Sequence, residues 1–416
     1  MYRHPKPAAL NLFFLLVLLA GGCRKDADMP SVEPEDILKN YPEGLSWSPE
    51  NPKPDEPFVI NFRAPIGSPL YGAKGDLYAH LGVVNQGEWQ YVPAAWDENT
   101  PKMKMESLGE NVWRLSIKEG IRTFFGAKAG VPITKIGVVI RNADGSKKAF
   151  PEDRFIPVTD PLFGSLPKAV EASLPASVRE GININPLDKS VTLVFADTDK
   201  NGSSPYTNAF VIGDFNDWTR LDRHAMKRDA EKGLWWITLK DVTGGTHLFQ
   251  YELFGTGDRY LRLADPYTEK IVTPEDKEIP VSVYPGATPY PEGKTYGTIS
   301  TFDIDPDTYF WQYDKFSGPK AEDLLVYEIL LRDFTPTGDL NGAKKRLPLI
   351  KEMGFNAVEL MPVQEFRGND SWGYNPTYYF ALDKAYGTKK DYRAFIDECH
   401  RLGLAVILDV VFNHMD

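Results

Sequence analysis

LLVYEILLRDF at Leu324–Phe334, NAVELMPV at Asn356–Val363 and LAVILDVVFNHMD at Leu404–Asp416 decide the fold class. Their apolar runs, Leu324–Leu331, Asn356–Met361 and Leu404–Phe412, are continuous rather than alternating. That pattern predicts parallel strands buried on both faces. Helical spacing lies between them. One helix is predicted near Gly342–Met353, stopped by Gly354. A second is predicted at Asp391–Leu402, where Tyr392, Phe395, Ile396 and Cys399 fall three and four apart before Gly403. Strand–helix–strand–helix–strand is the repeating unit of a parallel α/β fold.

Three motifs in this segment resemble one family in order and spacing. DVVFNH at Asp409–His414, SWGYNP at Ser371–Pro376 and AYGT at Ala385–Thr388 are similar to the α-amylase superfamily, glycoside hydrolase family thirteen. The resemblance implies a TIM (β/α)8 barrel acting on α-glucans such as starch, glycogen or pullulan with retention at the anomeric carbon. It implies that Tyr374 stacks on the glucose beside the scissile bond and that His414 hydrogen-bonds that sugar. Asp409 would orient an arginine of the fourth strand. Asn413 matches a calcium ligand of calcium-dependent members; no cofactor is otherwise required.

Retaining glycoside hydrolysis needs two carboxylates flanking the bond. The resemblance implies an Asp nucleophile, a Glu acid/base and a further Asp that helps distort the sugar, on the fourth, fifth and seventh strands. The Gly-x-Arg-x-Asp pattern of the nucleophile strand does not occur in this sequence, and Asp333, Glu359 and Asp416 match no catalytic motif. A complete barrel takes about 250 residues, and residues 324–416 supply strands one to three. The expectation is therefore a barrel segment cut before its catalytic carboxylates, inactive and unstable by itself, with unpaired strand edges.

Leading up to the barrel are two β-rich regions. FVINF, GDLYAHLGVV, NVWRLSI and ITKIGVVIRN place one β-sandwich at 58–158; VTLVF, NAFVIGDF, LWWITL and HLFQYELF place another at 177–298. NVWRLSI at Asn111–Ile117 parallels GLWWITL at Gly233–Leu239, so two immunoglobulin-like sandwiches of one plan are expected. Residues 159–176 read as a connector and 299–323 as a linker. The second module resembles starch- and glycogen-binding modules through GDFNDW at Gly213–Trp218, FQYELF at Phe249–Phe254 and ADPY at Ala264–Tyr267. The resemblance makes Trp218 a sugar-stacking residue. Arg262 and Glu252 stand where binding members carry Trp and Lys, so sugar binding and plain packing both stay open. Asp197–Gly202 begins like a calcium loop, but its twelfth position is Asn208 rather than Glu, and it reads as a turn.

Composition bounds the partners. Net charge is −11, with no basic run beyond the N-terminus, which argues against nucleic acid. Arg3 and Lys6 precede an apolar run, Leu10–Ala20, that is short for a bilayer span, so residues 1–22 read as a signal peptide. Leu19–Cys23 resembles a bacterial lipobox, which makes Cys23 a lipidation site and anchors the chain to the outer membrane. Residues 23–57, rich in Pro, Asp and Glu, read as a solvated tether. Cys399 would then be the single remaining cysteine, a small buried apolar side chain. Two functions compete: an α-amylase-type hydrolase, and a surface lipoprotein that binds α-glucan without cutting it.

Overall fold

A computed structural model describes residues 41–85, 88–164, 166–197, 203–257, 259–305 and 308–416. The signal peptide, Cys23 and most of the turn at Asp197–Gly202 lie outside the described residues.

The first β region is two four-stranded antiparallel sheets around one core. Phe58–Arg63 sits between Gly44–Ser48 and Val112–Ile117, with Glu106–Gly109 on the far edge. Leu77–Asn85 and Lys135–Asn142 centre the opposing sheet. Alternation sends Phe58, Ile60 and Phe62 from one sheet, and Leu77, Ala79, Leu81 and Val83 from the other, into the same buried cluster. Gly44–Ser48 falls inside the expected tether but pairs in register with Phe58–Arg63, Trp47 opposite Ile60. Its flanking prolines and acids mask a five-residue strand in the sequence.

The second region repeats the arrangement. Ser190–Ala196 and Leu234–Leu239 centre one sheet, and Thr246–Gly255 centres the other, beside Tyr206–Gly213. Ile299–Asp303, expected to be linker, is a strand of this second sheet. It pairs with both Thr246–Gly255 and Ile271–Val272, and Ile299 and Ser300 are buried. The module therefore extends past 298, and only the segment after it runs on to the parallel α/β segment.

In the C-terminal segment, Val326–Ile329, Ala357–Leu360 and Ala405–Leu408 form a parallel sheet with Ala357–Leu360 central. The strands are shorter than the apolar runs, and burial on both faces does not hold. Ile329, Val358 and Leu360 pack against Leu347, Ile350 and Phe395 of the helices. The opposite face carries Glu328 directly beside Glu359, with Ile407 next in register. The predicted helix at 342–353 is two helices, Leu340–Lys344 and Leu347–Glu352. Pro348 causes the break: it lacks the N–H that a continuous helix needs, and it is tolerated only in a first turn. The second helix runs Lys389–Arg401, opened by a reciprocal cap between Thr388 and Asp391.

The segment after the β strand lies over this last helix. The Tyr309 hydroxyl donates to Asp397 Oδ2 at 2.7 Å, the Gln312 and Tyr313 amides donate to the same carboxylate, and the Phe316 ring stacks on His400 at 4.4 Å. These contacts satisfy the buried Asp397 carboxylate, which would be costly in a bare helix–sheet core.

Candidate functional site

In parallel α/β folds, ligands are held at the C-terminal ends of the strands. Three side chains named from the sequence meet there. The Tyr374 hydroxyl donates to Asp409 Oδ2 at 2.6 Å, and His414 Nε2 lies 2.7 Å from the Tyr374 carbonyl oxygen. Tyr379 closes the group by donating to the His414 carbonyl at 2.8 Å. The loop that presents Tyr374 is fixed by Gly373 (φ +89°), where a Cβ would lie 2.2 Å from the Pro362 carbonyl oxygen. Only glycine lets the chain pass that close. The Gly373 amide donates to Ser371 Oγ at 3.0 Å.

The electrostatics follow from these contacts. Donation to Asp409 pushes the Tyr374 phenol up to about 12, with burial and the charges of Asp409, Glu328 and Glu359 adding to it. A carbonyl only accepts, so His414 Nε2 carries a proton. On the neutral ring Nδ1 is left as an acceptor. Tyr374 is 40% exposed, with Trp372 and Phe412 more exposed still, so aromatic surface is open beside the hydrogen-bonded group.

The sequence reading named Asp333 and Glu359 at this rim but missed the partners beside them, Arg332 and Glu328. Arg332 makes a two-point contact with Asp333, at 2.8 and 2.9 Å, and reaches Asp370 Oδ1 at 2.6 Å. Adjacent opposite charges in LLRDF were the only signal. The Glu328–Glu359 pair was masked because VYEI and AVEL read as apolar runs; the period-two alternation appears only once the register is known.

Asn413 is exposed, and no cluster of three His, Cys, Asp or Glu side chains suited to a metal occurs among the described residues.

Trp218 is remote from this rim, in the second β module, and only 8% exposed. Its indole packs with Ile212, Leu248, Val272 and Ile299. The turn GDFNDW directs it inward: Asp217 and Trp218 take left-handed φ of 52° and 59°, and Asn216 bonds both the Gly213 amide and the Val211 carbonyl. No ring face is left for a sugar. The positions expected to hold Lys and Trp are closed as well. Glu252 and Arg262 form a buried ion pair, joined by the Tyr260 hydroxyl at 2.7 Å from Glu252 and by Thr295 at 2.9 Å from Arg262. Tyr260 is itself buried against Phe163 and Phe254. Of the two alternatives for this module, the structure supports packing.

Comparison with known proteins places the stretch that contains these residues in a known family's range. Residues 298–416 match the alpha-amylase family, catalytic domain. The chain is 36% identical over 193 residues to a malto-oligosyltrehalose trehalohydrolase of Saccharolobus solfataricus, covering 46% of this chain and 29% of that protein. It is 33% identical over 222 residues to a 1,4-alpha-glucan branching enzyme, GlgB, of Rhodospirillum rubrum, covering 50% and 27%. The catalytic module of a multi-modular glycogen-degrading pneumococcal virulence factor covers 57% of this chain and 38% of its own at 22% identity, with a TM-score of 0.42. The chain spans under a third of the length of the curated relatives it matches. Over residues 298–416 the chain is thus similar to the catalytic domain of the alpha-amylase family, and its homologues include trehalohydrolases and glucan-branching enzymes.

Proposed function

We propose that residues 324–416 carry the sugar-holding rim of an α-glucan-active barrel of retaining alpha-amylase type, acting by hydrolysis on starch, glycogen or pullulan. The observation that carries this reading is the Tyr374–Asp409–His414 connection at the strand ends. Tyr374 offers a ring face to a glucose unit. Asp409 holds the phenol in place at the end of its strand. His414 presents Nδ1 to a sugar hydroxyl. We assign neither nucleophile nor general acid among the described carboxylates: Asp333 is held by Arg332, and Asp409 by Tyr374. The competing reading, glucan binding without catalysis, drew on Trp218 and the paired β modules, and Trp218 is buried.

Affinity electrophoresis through amylopectin tests the rim. The chain should be retarded, and Tyr374→Ala should weaken retardation about tenfold, equivalent to about 1.4 kcal/mol. Equal retardation of the variant would exclude Tyr374 as the sugar platform.

A lipid anchor on Cys23 and an outer-membrane location are supported by the lipobox-like Leu19–Cys23 alone. Metabolic labelling with a fatty-acid analogue should mark the chain and not Cys23→Ser; label on both would end that reading.

A further inference from the structure

A cavity of about 1230 Å³ lies away from Tyr374, between the second β module and the helix Lys389–Arg401. Its two walls meet at a pair of stacked rings, Tyr267 from the module and Phe380 from the barrel hairpin, with centroids 5.5 Å apart and planes 26° apart. Both rings are exposed, as is Phe310 on the same cavity. Exposed flat rings of this kind suit the apolar C–H face of a sugar ring.

The charges around the cavity are unevenly satisfied. Its four carboxylates all accept hydrogen bonds from the protein, and one of them, Glu269, is ion-paired. Glu180 accepts from the Tyr267 hydroxyl, Glu269 pairs with Lys389 at 2.7 Å, Asp303 accepts from Thr246, and Asp305 accepts from the Gly245 amide at 2.9 Å. Three cations on the same lining, Arg179, Lys270 and Lys390, have neither a hydrogen-bond nor an ion-pair partner for their charged side-chain groups among the described residues. Lys270 is half-buried, with only the Tyr284 ring beneath its ammonium at 5.9 Å. Burial lowers the pKa of this lysine, with the Lys384 charge adding to the effect against the nearby Asp303 and Asp276. A desolvated, unpaired ammonium is an expensive group to keep in a folded protein. Lys389 and Lys390 also open a 13-residue helix, where the helix dipole disfavours cations. Each of these costs is relieved by an anion in the cavity.

We propose that this cleft binds a phosphorylated sugar, its ring against Tyr267 and Phe380 and its phosphate among Lys270, Lys390 and Arg179. The site is separate from the glucan rim and does not depend on that reading. Three unpaired cations match a phosphate dianion better than a carboxylate.

Titration calorimetry on the full chain decides it, with glucose 6-phosphate, glucuronate, inorganic phosphate, glucose and maltoheptaose as probes. Glucose 6-phosphate should bind at least tenfold more tightly than glucose or inorganic phosphate, and more tightly than glucuronate. Raising salt from 0.05 to 0.5 M should weaken it severalfold, as ionic screening demands. Lys270→Met and Lys390→Gln should each cut affinity at least fivefold. Lys390 is exposed and Lys270→Met removes a half-buried charge, so both variants should fold, as a melting curve can verify. Glucose or maltoheptaose binding as tightly as glucose 6-phosphate would overturn the proposal in favour of a neutral glycan groove. Inorganic phosphate binding equally well would remove the sugar from it. Glucuronate binding equally well would remove the phosphate. Unchanged affinity in Lys270→Met and Lys390→Gln would place the ligand elsewhere.

Discussion

Lys384→Met should strip the junction of the second β module and the C-terminal α/β segment of its central cation. The Lys384 ammonium is bonded to Glu365 and lies 3.5 Å from Asp276 of the module; Asp383 adjoins it in sequence. Glu365, Asp383 and Lys384 are all buried. Burial pushes both the Glu365 and the Asp383 carboxyls up against the opposing pull of Lys384. Desolvation acts to lower the Lys384 ammonium, but Glu365 and Asp276 outweigh it and raise it. Three carboxylates thus share one cation. Removing that cation forces a further carboxyl to take a proton or to stay buried as an uncompensated charge. For an aspartate with an unfolded value of about 3.9, protonation costs about 4 kcal/mol at pH 7 and about 1.5 kcal/mol at pH 5. Truncating one partner of a buried ion pair costs about 3–5 kcal/mol, which is consistent with the pH 7 figure.

The sign of the pH dependence follows from the same groups. Carboxyls raised in the folded state bind more protons folded than unfolded, so their contribution is full below the unfolded value and is lost as pH rises through the folded one. Wild-type stability should therefore fall between pH 5 and 8. The penalty of Lys384→Met should be about 2.5 kcal/mol smaller at pH 5 than at pH 7, and Glu365→Gln added to it should recover part of the loss. Urea unfolding at the two pH values, followed by tryptophan fluorescence, measures it. A penalty below about 1 kcal/mol at pH 7, or one that does not change with pH, would refute the reasoning.

Trp218→Ala should destabilise the second module by about 3–5 kcal/mol, as truncation of a buried aromatic does, and leave amylopectin retardation of the folded fraction unchanged; calorimetry and electrophoresis on one preparation separate the two. Gly137→Ala should displace Trp89, whose indole would lie 2.4 Å from the new Cβ, at a cost of about 1–3 kcal/mol. A shifted emission maximum should report it, and an unmoved spectrum with unmoved stability would show that the ring does not lie on that strand. Arg262→Met should cost about 3–5 kcal/mol by leaving Glu252 buried and unpaired, whereas Arg262→Met with Glu252→Leu should come close to neutral; equal losses in the two variants, read by urea denaturation, would count against the pair as the cause.

What the sequence could and could not show divides along a physical line. The parallel strands, the two β regions and the Tyr374–Asp409–His414 group were legible because each depends on local pattern or on motif spacing. Local pattern also located the last helix, Lys389–Arg401, to within two residues, since Thr388 and Asp391 spell its cap. The failures share another cause. Gly44–Ser48 and Ile299–Asp303 become strands only because a partner strand stands ready for them across a sheet, and neither has a pattern of its own. Trp218 turned out differently for the same reason. An aromatic in a turn resembling a binding motif reads as a platform, but two left-handed residues rotate the indole into the core. The Glu252–Arg262 pair was the clue already present. Where the modules it resembles carry a lysine and a tryptophan, this sequence has opposite charges, and opposite charges ten residues apart on paired strands meet each other. Once that pair is made and buried, the module has no exposed polar group left at the position where recognition would begin. The same accounting, applied to Arg179, Lys270 and Lys390, gives the opposite result: there the opposing carboxylates are already engaged, and the cations remain to be answered from outside the chain.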